Sequence, residues 1–241
     1  MLNLNSDLVA SRKIASLEIL IGTTKQLELI KQIMQIGEVG QEALLNFLIH
    51  RDMFRKKEIE ILDGLIFEIL YFESLDSVRR KLNVFFDLGL ISFDSSLQLN
   101  YQPLQKLLIA HNFQEADKLT QSYLCSLAGL EAPHQRNWLY FTDIMSIPSQ
   151  DLFVIDKLWR LYSRGKFGFS IQRRIWISNN NNWEKFWHQI GWKNDGIACR
   201  YPTEFMWNTT APYGHLPLFN QLRGVQVLLA LFDHVIWNRF D

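Results

Sequence analysis

"SRGKFGFSIQRRIW", Ser163 to Trp176, is the stretch on which the fold of this 241-residue chain turns. Arg164, Lys166, Arg173 and Arg174 sit among Phe167, Phe169 and Trp176. Cations beside flat rings suit a flat, anionic partner. Two local structures are open to it. As a strand, Phe167 and Phe169 would share one face of a sheet. As a helix end, Gly165 stops the preceding helix, and Trp159, Phe167 and Phe169 fold back on it as core. Arg160, Arg164 and Lys166 then lie where the helix dipole favours positive charge.

The strand reading fails in detail. "RGKFGF" is similar to the octapeptide of RNA-recognition sheets, in which a basic residue and Gly precede two stacking aromatics. Lys166, however, is inserted between Gly165 and Phe167, and Ser170 stands where an aliphatic residue should follow. That fold needs a four-stranded sheet, and "RRIWIS" is the one candidate strand. The flanks are helical in period. Leu104, Leu107 and Leu108, then Ala116, Leu119, Tyr123 and Leu127, lie on either side of "AHNF" and predict a helical hairpin ending at Gly129. Asp151 to Tyr162 predicts another helix. "NNNNWEKFWHQIGW" predicts a helix opened by asparagines, and Asn220 to Phe240 a final one. Between them, Lys193 to Pro217 has no clear period, and a loop of that length points to function. The fold class expected is all-α.

Composition divides the chain near residue 100. All eight tryptophans and all six prolines lie beyond it. Residues 1–100 carry 11 basic and 14 acidic side chains, and residues 101–241 carry 14 and 11. Two domains are expected: a helical bundle or hairpin stack at 1–95 for scaffolding or docking, and a second domain at 101–241. "SFDSSLQLN", Ser92 to Asn100, reads as the linker. Four apolar stripes mark the first domain: Ile14, Leu17 and Ile21; Leu27, Ile30 and Met34; Ile59, Leu62, Ile66 and Ile69; Val78, Leu82, Phe85 and Phe86.

The totals exclude several function classes. The formal net charge is zero, so an anion site must be local rather than a property of the whole field. Cys125 and Cys199 have no metal spacing and read as free, buried thiols of a reducing compartment. The apolar run Ile61–Phe72 is broken by Asp63 and Glu68, and Val225–Trp237 by Asp233 and His234, so neither reads as a membrane span. The N-terminus is patterned as an amphipathic helix and reads as neither a secretory signal nor a transit peptide. The six histidines lack zinc spacing, and no GxSxG or Gly-rich phosphate loop occurs. No enzyme is expected.

The second domain, in contrast, carries an ordered set of motifs. "YQPLQKLLIAHNFQEADKLT", "NWLYFTDIMSIPSQDLFVIDKLWRLYSRGKFGFSIQRRIW", "FWHQIGW" and "APYGHLP" together resemble the genomes-uncoupled-four family. The resemblance covers about residues 101–240, and the N-terminal helices resemble the extension of cyanobacterial and algal members. It implies a cupped, mostly helical domain that takes protoporphyrin IX or magnesium-protoporphyrin IX on its concave face, with no intrinsic metal. It further implies a non-catalytic stimulator of magnesium chelatase in chlorophyll biosynthesis. The implied partner is the large porphyrin-binding subunit of that enzyme. The implied location is the plastid stroma, partly thylakoid-associated, or the cyanobacterial cytoplasm.

The family's ligand face is built mainly from two loops, about Leu130–Thr142 and Asn194–Arg223 here. By that resemblance the ring contacts are Leu139, Tyr140 and Phe141 from the first loop and Phe205, Met206 and Trp207 from the second. Asn220 and Arg223 are the polar partners, Arg223 suiting a propionate and Asn220 a magnesium-bound water. His215 as a metal ligand is the weaker reading, because "GHLP" has the form of a rigid turn. A helical adaptor, an RNA-binding module, and a haem or bilin carrier are the alternatives.

Overall fold

The computed structural model of the chain describes residues 2–53, 58–130, 136–218 and 225–239. It divides into two compact units, Met1–Ser92 and Phe93–Asp241. The first is wholly helical among the described residues: α1 Leu2–Ile19, α2 Thr23–Met34, α3 Glu38–Met53, α4 Ile61–Glu73 and α5 Asp76–Phe85. Its centre is α4, where every residue from Leu62 to Leu70 is buried. A helix apolar on all sides belongs in the middle of its neighbours. Two positions assigned to buried stripes are exposed. Ile21 is 90% exposed because α1 stops at Ile19, and Phe85 is 50% exposed while Phe86 turns inward in its place.

One ion-pair network joins α1, α3 and the start of α4. Arg51 is almost fully buried. Its Nε donates to Asp63 Oδ1 at 2.6 Å and its Nη2 to Asp63 Oδ2 at 3.2 Å. Nη2 also reaches Glu60 at 2.8 Å, and Nη1 reaches Glu18 at 3.3 Å. Burial by itself lowers the guanidinium pKa, but the hydrogen bonds and charges of Asp63 and Glu60 more than offset it, so the net shift is upward. Asp63 in turn accepts the Glu60 N–H and closes the first turn of α4. Removing one partner strands the other in the core. The Arg51→Ala protein is therefore expected to lose about 3–5 kcal/mol from this unit. Urea denaturation followed by circular dichroism measures it, and a variant as stable as the wild type would show that the network contributes nothing.

The second unit contains α6 Gln102–Ile109, α7 Phe113–Leu127, α8 Phe141–Ile144, α9 Ser149–Leu161, α10 Phe169–Ser178, α11 Trp183–Gln189 and α12 Val225–Phe232. A 3-10 helix, Val235–Arg239, follows α12. The expected final helix is thus two pieces, broken where His234 Nδ1 accepts the Ile236 N–H at 3.3 Å. The only sheet among the described residues is a two-residue hairpin, with Lys193 opposite Ala198 and Asn194 opposite Ile197. "RRIWIS" lies in α10, and this hairpin gives no platform for an RNA-recognition sheet. No helix among the described residues is long and apolar enough to cross a membrane.

The deciding stretch is a helix end followed by a capped helix start. Gly165 adopts φ 73° and donates its N–H to Arg160 O at 2.9 Å. Phe113, Trp159 and Phe167 pack with ring centroids 5.5–6.4 Å apart, and Trp159, Phe167 and Phe169 are fully buried. Asp156, inside the core, caps α10 by accepting the Ser170 N–H and hydroxyl, each at 2.8 Å. Arg160 Nε neutralises it at 2.7 Å. Gly168 is required beside it: a Cβ there would lie 2.8 Å from Asp156 Oδ1. The polar stretch before α6 is not a free linker. Gln98 N–H and Tyr101 O–H both donate to Asp151 Oδ1, at 3.0 and 2.7 Å, and tie it to α9.

Candidate functional site

The long aperiodic segment is held by the α9–α10 connection. Gly214 donates to Lys166 O at 2.8 Å, and Gly168 donates to Leu216 O at 3.0 Å. Gln172, buried on α10, donates its amide to Gly214 O at 2.9 Å and Pro217 O at 2.8 Å. Trp192 Nε1 donates to His215 O at 2.8 Å. "APYGHLP" is therefore a turn clamped on three sides.

His215 is fully buried within that turn. Its Nδ1 lies 2.7 Å from Ile190 O, and its Nε2 accepts the Met206 N–H at 3.0 Å. A carbonyl on one side and an N–H on the other admit only the neutral ring with its proton on Nδ1. Burial pushes its pKa down, and nearby Lys166 adds to that. Both nitrogens are used, so His215 fixes the loop and has none to offer a metal. Among the described residues no three His, Cys, Asp or Glu side chains form a metal-binding group.

What the clamped loop presents is aromatic. Met206 is 41% exposed and Trp207 half-buried, its Nε1 donating to Pro202 O at 3.0 Å. Phe205 is buried and packs 5.5 Å from the His215 ring, so it supports its two neighbours from below. Tyr201 and Tyr213 also stand exposed on this loop. Tyr201 meets Trp207 edge to face at 6.0 Å, and the Lys166 ammonium lies 5.3 Å from the Tyr213 ring. Neither tyrosine was among the expected contacts, although Tyr213 lies inside "APYGHLP" itself. Asn220 and Arg223, the expected polar partners, lie outside the described residues.

The first loop divides in the same way. Leu139 is fully buried, whereas Tyr140 and Phe141 are each half exposed at the start of α8. Asp143 Oδ2 accepts the Tyr140 N–H at 2.6 Å and pairs with Arg136. Phe141 lines an open groove of about 380 Å³ with Gln226, Leu229, Ala230 and Asp233 of the α12 side. That volume is within the usual range of small-molecule sites.

The second loop is attached to α7. Asp117 Oδ1 accepts the Leu218 N–H at 2.6 Å, and Tyr201 lies close enough to Asp117 and Lys118 to feel their charges. At the other end, Cys125 feels the opposite charges of Arg136 and Asp143. The eight helical steps from Asp117 to Cys125 separate these positions by about 12 Å.

Residues 94–235 match the model of the GUN4-like family. The chain belongs to that family. Residues 17–87 match the ARM-like repeat domain of the GUN4 N-terminus. The ycf53 protein of Pyropia yezoensis is 47% identical over 217 residues, which cover 90% of this chain and 91% of that one. The chloroplastic tetrapyrrole-binding protein of Arabidopsis thaliana is 36% identical over 150 residues, 58% of this chain and 56% of its own. The structure of GUN4 from Chlamydomonas reinhardtii superposes with a TM-score of 0.56 at 39% identity, over 61% of this chain and 95% of that one. Over that part, this GUN4-like chain shares its helical scaffold with a solved member of the family.

Asp117 gives the stability of the fold a pH dependence. Burial pushes its carboxyl from the ordinary 3.8 up to about 8, with the Leu218 N–H opposing only in part. The folded chain holds a proton here that the unfolded chain releases near pH 4. The stability this contributes is complete below that pH and falls as pH rises through about 8. Asp117→Asn keeps the oxygen that accepts from Leu218 and removes the titration. The variant is expected to gain on the wild type between pH 5 and pH 8, by up to a few kcal/mol. Melting temperatures across that range measure it, and a constant difference would show that Asp117 is already ionised at pH 5.

Proposed function

We propose that this GUN4-like chain binds a tetrapyrrole on the exposed rings of its two aromatic loops, and binds it without transforming it. The observation that carries this is the set of aromatic side chains left exposed on clamped loops: Tyr140 and Phe141 on one, Tyr201, Trp207 and Tyr213 on the other. A soluble fold normally buries such rings, and a broad apolar macrocycle gives them a partner. Covering apolar area stabilises a complex at about 25 cal/mol per Å². The relation to a protein named as tetrapyrrole-binding supports the same ligand class.

The ligands proposed are protoporphyrin IX and magnesium-protoporphyrin IX, with Arg223 holding a propionate and Asn220 a magnesium-bound water. The role proposed is stimulation of magnesium chelatase through its large porphyrin-binding subunit, in the plastid stroma or a cyanobacterial cytoplasm. The chloroplastic relative is consistent with that location. Residues 101–241 form the binding domain in this reading, with the N-terminal helices as a docking scaffold.

Titration with each porphyrin, read by quenching of tryptophan emission, tests the reading. Saturable quenching is expected, with single-stranded RNA giving none. The Arg223→Ala protein is expected to bind about tenfold more weakly with its fold intact, because a charge-assisted pair is lost. Unchanged affinity would mean that the propionates are held elsewhere. A fragment of residues 93–241 is expected to fold and bind, and its aggregation would show that the first unit completes the core.

A further inference from the structure

We propose that Arg136 is a carboxylate-binding residue of the same site, taking one acidic arm of the ligand from the first loop and releasing Asp143 to do so. The inference rests on the tetrapyrrole reading above and adds a residue that neither spacing nor motif had marked. The Arg136 guanidinium lies 5.1 Å from the Trp138 ring and 4.3 Å from the Tyr140 ring. The two rings meet edge to face, 4.4 Å apart. The three centres are thus all within about 5 Å of one another, so both rings pack against the same side of the guanidinium and hold it beside the apolar surface they form.

Its hydrogen bonding is incomplete. Nη2 engages Asp143. Nε is buried and has no hydrogen-bond partner among the described residues. An unmade bond on a buried N–H is costly, and the guanidinium fork matches a planar carboxylate. The side chain keeps 27% of its surface exposed, so turning away from Asp143 opens the Nε–Nη edge to solvent. Asp143 is not orphaned by that exchange, because its Oδ2 still accepts the Tyr140 N–H and closes the turn of α8. It acts as a placeholder anion.

The surroundings favour an acidic arm at this position. Tyr140 and Phe141 offer half-exposed rings beside the cation, and Phe141 continues into the groove along α12. Asp233 lines that groove and repels a carboxylate placed beside it, which favours the Arg136 side of Phe141 for the acidic arm.

The test compares protoporphyrin IX with its dimethyl ester, which has the same macrocycle without acidic groups. Each is titrated into the full-length wild type, Arg136→Gln and Arg136→Lys, following tryptophan quenching, with helicity checked by circular dichroism. Arg136→Gln is expected to weaken the free acid about tenfold and to leave the ester within about twofold. Arg136→Lys, which keeps the charge and loses the fork, is expected to fall between. Equal losses for acid and ester would reduce Arg136 to a structural role, and no loss for the acid would overturn the proposal. If Arg136→Gln loses helicity, Arg136→Lys decides by the same acid-to-ester ratio. A wild type that binds neither compound would overturn the tetrapyrrole reading itself, an outcome distinct from failure at Arg136.

Discussion

The second unit depends on a carboxylate placed where water does not reach. Asp156 is fully buried on α9 and satisfied by Ser170 and Arg160. A buried charge is tolerable only when paired and hydrogen-bonded, so these partners cannot drift without a large cost. Asp156 thereby fixes the start of α10 against α9. From α10, Gln172 reaches the carbonyls of Gly214 and Pro217 and holds the aromatic loop. One cap in the core is thus transmitted, through one amide, to the exposed aromatic loop.

This arrangement explains why a loop can present large rings without collapsing on them. His215, Gln172 and Trp192 occupy the polar groups of the turn from inside, and Phe205 fills the space beneath. Burying Met206, Trp207 and Tyr213 would require breaking these contacts. Rigid elements position a site better than free loops do, and the loop is made rigid by its own core contacts. The first loop uses a different device, an arginine packed against two rings and paired with Asp143.

Much of this was legible before any coordinates. Gly165 ends α9, Asn182 caps α11 by accepting the Lys185 N–H, and Gly129 stops α7, because local backbone chemistry decides such points. The burial of Trp159, Phe167 and Phe169 followed from reading Gly165 as a helix stop that folds the rings back. Failures came where period was extended past a helix end, as at Ile21, and where a polar stretch read as a linker was in fact bonded to Asp151. Leu139 and Phe205 lie beneath their loops, because adjacent residues in a turn face opposite ways and a motif does not say which.

The sequence by itself determined the helical class, the change of character near residue 100 and the family motifs. Hydrophobic period, helix-stop glycines and composition are local properties that survive without a partner. Tertiary structure alone decided which rings face outward, that His215 is a neutral strut, that Asp117 sits where burial raises its pKa, and that Arg136 Nε has no hydrogen-bond partner among the described residues. Desolvation and hydrogen-bond pairing depend on residues distant in the chain, as Asp117 and Leu218 are, and no local pattern encodes which of them will meet.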